Sequence, residues 1–138
     1  MHRRPLGRGR TLVVLAAVVM LVGCVLPWFT FAGDLPVTPY RAFDGSGILV
    51  FVAALAALAL VALPYAAGDR PVAADRGLAY LLVALVALVG VVIWPIDLVG
   101  DYAAGLLPDR APGWWIALGG LALFARATFD IFQEPARR

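Results

Sequence analysis

SGILVFVAALAALALVAL, residues 46–63, contains no charged side chain and one polar side chain, Ser46. An uncharged apolar run of about 18 residues or more reads as a spanning helix, because about 20 residues at a 1.5 Å rise cross the hydrocarbon core of a bilayer. Within lipid each backbone N–H and C=O needs an internal partner, and a single segment achieves this only as a helix.

Working outward, the same pattern recurs on both sides. Thr11–Phe29 and Gly77–Ile96 are uncharged and apolar. Gly113–Ala125 is uncharged up to Arg126, and apolar character resumes with Ala127, Phe129, Ile131 and Phe132. The pattern predicts spans over 11–31, 46–64, 77–96 and 112–132. An Arg-rich cytoplasmic tail, 1–10, precedes them, and a second cytoplasmic tail, 133–138, ends the chain. Arg126 then lies near the inner end of the fourth span, where its long side chain reaches the headgroups and Asp130, one turn on, offers a partner.

The breaks between runs agree. Asp44-Gly45-Ser46-Gly47 supplies turn and cap chemistry before the second span. Pro64 is expected to end that span, Gly68-Asp69-Arg70-Pro71 reads as a polar loop, and Pro112 suits the first position of the fourth helix. No internal repeat is present.

Composition supports the same solvent. Of 138 residues, 63% are hydrophobic and 14% charged, where a soluble domain averages about 45–50% and about 25%. Water could not cover that excess, because most of a small domain's surface faces solvent. All basic residues apart from His2 are Arg, and Cys24 is the single cysteine, which excludes an intramolecular disulfide and a thiolate cluster within one chain.

The arginines set the orientation. With both termini inside, nine of them (Arg3, Arg4, Arg8, Arg10, Arg70, Arg76, Arg126, Arg137 and Arg138) fall on the cytoplasmic side, and Arg41 and Arg110 fall outside. The inner face then carries a net +5 and the outer face −3. Trp28, Trp94, Trp114 and Trp115 all fall at outward helix ends, the level where a half-buried indole keeps its N–H wet. These four tryptophans and Arg126 are the expected interfacial anchors.

Leu21-Val22-Gly23-Cys24 comes after an Arg-rich start and an apolar run, the layout of a bacterial lipoprotein signal. Beyond the cysteine, Val25-Leu26-Pro27-Trp28-Phe29 continues the apolar run where a lipoprotein would turn polar and flexible, so an uncleaved helix is expected. Acylation at Cys24, leaving three spans, is the alternative. The acids Asp34, Asp44, Asp97, Asp101 and Asp109 match no metal-loop spacing and read as loop charges and caps. His2 stands alone. No metal, nucleotide or nucleophile motif is present, and no cofactor is expected. The first three spans lack the ionisable residues that ion-coupled transporters use. Small residues at Ala53-xxx-Ala57, Gly90 and Gly119-Gly120 favour close helix packing, within the bundle or onto another membrane protein.

Leu26-Pro27-Trp28-Phe29-Thr30, Asp44-Gly45-Ser46-Gly47 and Gly113-Trp114-Trp115 with Gly119-Gly120 form an ordered set over roughly residues 11–125. Together they resemble a loose group of small four-helix membrane proteins of actinobacteria that carry no assigned function. The resemblance implies an uncleaved first helix and no catalytic residue. The expected class is therefore an all-α polytopic membrane protein with four transmembrane helices and both termini inside. It is expected to be a non-enzymatic plasma-membrane protein, structural or accessory to a membrane or envelope complex. Its partners would be the lipid bilayer and other membrane proteins, not nucleic acid. A carrier or permease for a small molecule or lipid is the rival.

Overall fold

Pro27 ends the first helix. The residue before a proline is pushed out of the α region, and Leu26 adopts φ −72°, ψ 153° while its N–H still reaches the Val22 carbonyl at 3.2 Å. In this computed structural model, which describes residues 7–30, 40–66, 76–101 and 110–133, α1 covers Arg8–Val25. The helix stops short of the expected 31, and it starts earlier than 11, with Thr11 N–H bonded to the Gly7 carbonyl at 3.1 Å. Arg8, Gly9 and Arg10 thus join the helix rather than the tail.

The other three helices are α2, Ile48–Ala66, α3, Arg76–Asp101, and α4, Pro112–Gln133. α2 begins two residues later than its apolar run, behind a one-turn 3-10 helix at Ala42–Asp44. The Ile48, Leu49 and Val50 amides bond three residues back, to Gly45, Ser46 and Gly47, at 3.0–3.2 Å. Pro64 and Pro95 stand inside α2 and α3 rather than ending them. A proline removes one donor and leaves the rest of the ladder intact, so a helix whose surroundings hold it runs on. α4 opens on Pro112, where the missing N–H would have had no helical partner anyway.

Each helix packs on two others in a closed ring, α1 on α2 and α4, α3 on α2 and α4, with neighbours antiparallel. The α1–α4 seam is the most extensive. A Cβ on Gly23 would stand 2.6 Å from the Ala117 nitrogen, and one on Gly120 would stand 2.7 Å from Met20 Cγ and 2.9 Å from its nitrogen. Only glycine admits that approach. Ala53, Ala54 and Ala57 of α2 are likewise buried, so the small-residue face predicted there turns inward. Gly119, by contrast, faces away, with nothing within 4 Å.

The interior is built from small residues, Ala16, Ala17, Ala54, Ala57, Ala117 and Ala127, with Trp28, Phe124 and Met20 filling the remaining width. Val13, Val50, Val61, Val91 and Leu121 are buried as well, but most of the large aliphatics are outside. Val25 and Ile96 are 64% and 63% exposed, and Leu15, Val22, Val52, Leu78 and Leu82 stand about half exposed or more. A water-soluble bundle sorts its side chains the other way, since apolar patches of this extent are untenable in water. All four helices are long and apolar enough to cross a membrane.

The ring has two ends. Arg8, Arg10, Arg126 and Asp130 lie at the end shared by the start of α1 and the finish of α4, while Arg41, Asp44, Asp97 and Arg110 lie at the other. Of the expected features, residues 1–6, the loop residues 67–75, Asp34, Asp109 and residues 134–138 lie outside the described residues.

Candidate functional site

The three motifs that stood apart in sequence meet at one end of the bundle. Past Pro27 the chain continues as a short extended segment, Trp28–Thr30, which is hydrogen-bonded along both edges. Trp28 and Phe29 N–H donate to the Tyr40 carbonyl at 2.8 and 3.2 Å, and Tyr40 N–H returns a bond to Phe29 at 3.1 Å. On the other side Thr30 N–H donates to the Arg110 carbonyl at 2.9 Å, and the Thr30 hydroxyl donates to the same oxygen at 3.2 Å.

Gly113, in the first turn of α4, sits on the finish of α1. Its N–H donates to the Pro27 carbonyl at 2.9 Å, and a Cβ there would meet the carbonyl oxygens of Leu26, Gly23 and Pro27 at 2.6–2.8 Å. Orphan amides of one helix start thus face orphan carbonyls of another helix end, and the two helix dipoles attract.

Two indoles complete the same accounting. Pro27 has no N–H for the Gly23 carbonyl four residues back, and Trp28 Nε1 donates to that carbonyl at 3.0 Å. Pro95 likewise has none for Val91, and Trp114 Nε1, reaching across from α4, donates to the Val91 carbonyl at 3.1 Å. In each case a tryptophan replaces the donor that a proline withdrew. A carbonyl left bare in a dry interior costs about 1–3 kcal/mol, which makes each indole structurally valuable.

Trp94 lies between these features. Its ring packs against Phe29 at 6.5 Å and Tyr40 at 6.1 Å between centroids, and Gly45 abuts its six-membered edge closely enough to exclude any Cβ. It is 9% exposed, and its indole N–H has no partner among the described residues. The Asp44 carboxylate accepts from Arg41 N–H at 2.7 Å and so closes the start of the 3-10 helix rather than that of α2, while the Ser46 hydroxyl crosses to the Gly90 carbonyl of α3 at 3.4 Å.

The residues expected as interfacial anchors therefore occupy different settings. Trp28 is fully buried, Trp94 nearly so, and Trp114 half-buried; Trp115, packed edge-on against Trp114 at 4.8 Å, is 63% exposed. Arg126 is at the opposite end, in an ion pair with Asp130 at 3.4 Å. Cys24 is fully buried one residue before the finish of α1. Among the described residues no three His, Cys, Asp or Glu side chains converge on a metal-sized site.

Tyr40 did not stand out in the sequence, and neither did the roles of Gly113 and the prolines. The Pro27-Trp28 dipeptide carries a local signal, since the bare carbonyl and its replacement donor are five residues apart. The Pro95–Trp114 relation carries none, because its parts belong to different helices.

Fold and chemistry define a class: an all-helical polytopic membrane protein with four spans, closed at one end by an aromatic and glycine cap. No protein-family model matches the chain, and no curated protein or solved structure matches it either. The likeness to the small actinobacterial proteins rests on its short motifs alone.

Proposed function

We propose that the protein is a plasma-membrane component with both termini in the cytoplasm, structural or accessory to a larger membrane or envelope complex, and without catalytic activity of its own. The observation that carries the membrane reading is the sorting of side chains, with an interior rich in alanine and glycine and most of the leucine, valine and isoleucine side chains at least partly exposed on the outside. The uneven distribution of arginine supports the orientation. Trp115 and Arg126, both exposed near helix ends, would anchor the two interfaces.

The accessory role draws support from where the polar groups go. At the tryptophan end the prolines' bare carbonyls are closed by the protein's own indoles, and the glycines bring backbones together. That is the chemistry of a rigid scaffold. Close contact of α1 with α4 at Gly23 and Gly120 favours it over a carrier, which needs room between helices. An uncleaved α1 is favoured too, since the residues before Cys24 build the main seam of the bundle.

The test is mild-detergent purification of the tagged protein at native expression, followed by mass spectrometry. A reproducible set of membrane or envelope proteins is the expected result. Repeated recovery of the protein alone would remove the accessory role.

A further inference from the structure

We draw no further inference here: the strongest candidate, the outward face of α4 where exposed Trp115 and Phe129 stand either side of Ala122 and the open surface of Gly119, is an apolar helix face with small residues at its centre, and nothing in the structure shows what covers it.

Discussion

The indole N–H of Trp114, on α4, donates to the backbone carbonyl of Val91, on α3, at 3.1 Å. That carbonyl is bare within its own helix because Pro95 stands four residues on. A helix can therefore carry a proline in an apolar span without losing a hydrogen bond, provided a neighbouring helix supplies the donor. Trp28 does the same for the Gly23 carbonyl at 3.0 Å, so the device occurs at the finish of α1 and within α3.

Removing the donor while keeping an aromatic ring tests the device. Trp114→Phe is expected to destabilise the protein by about 1–3 kcal/mol, the cost of leaving a buried acceptor bare. Pro95→Ala restores an N–H to Val91. In that background Trp114→Phe should cost much less, so the two changes are non-additive. Thermal unfolding in detergent, run as a double-mutant cycle, measures this. Additive costs would show that the hydrogen bond contributes little and that ring packing dominates.

Adjacent glycines on α4 should respond in opposite ways. A Cβ on Gly120 would meet Met20 at 2.7 Å, whereas one on Gly119 meets nothing within 4 Å. Gly120→Ala is expected to lose about 1–3 kcal/mol through forced separation of α1 and α4. Gly119→Ala is expected to be neutral or to gain up to about 1 kcal/mol from helix propensity. Unfolding in detergent or by steric trapping reads both. Equal effects at the two positions would contradict the packing of this seam.

The four helices were legible in the sequence because the signal is chemical rather than geometric: a charge-free run of adequate length says helix in lipid whatever surrounds it. Their ends were less legible. Leu26 leaves the helix because of Pro27, which is local and could be read, yet α3 passes Pro95 because of Trp114, which is not local. The tryptophans show the same division. Their position at one end of the bundle comes from their place in the runs. That Trp28 faces inward and Trp115 outward depends on which side of each helix meets its neighbours, and runs of alanine, leucine and valine without polar contrast do not mark that side. Of the small residues, Ala53 and Ala57 do turn inward, and Gly119 and Gly120 part company.

Cys24 offers a readout of whether α1 is intact. Its side chain is fully buried against the rest of the bundle. A membrane-permeant maleimide is expected to leave it unmodified in the folded protein and to label it after denaturation in dodecyl sulfate. Intact mass is expected to match the full chain with no acyl group. A mass lacking the residues before Cys24 and carrying diacylglycerol would replace the four-span arrangement with three spans and a lipid anchor.

Orientation is a matter of charge. Arg8, Arg10 and Arg126 lie at the end where α1 begins and α4 finishes, so a reporter at either terminus examines the same face of the bundle. Basic residues near short loops stay on the cytoplasmic side during insertion, so fluorescent-protein fusions at both termini should be bright and alkaline phosphatase fusions inactive. Replacing Arg3, Arg4, Arg8 and Arg10 with glutamine removes much of the bias. A fraction of molecules should then insert the other way, with phosphatase activity appearing at both termini together. Activity at one terminus alone would mean that an odd number of helices cross, which the antiparallel ring of four does not allow.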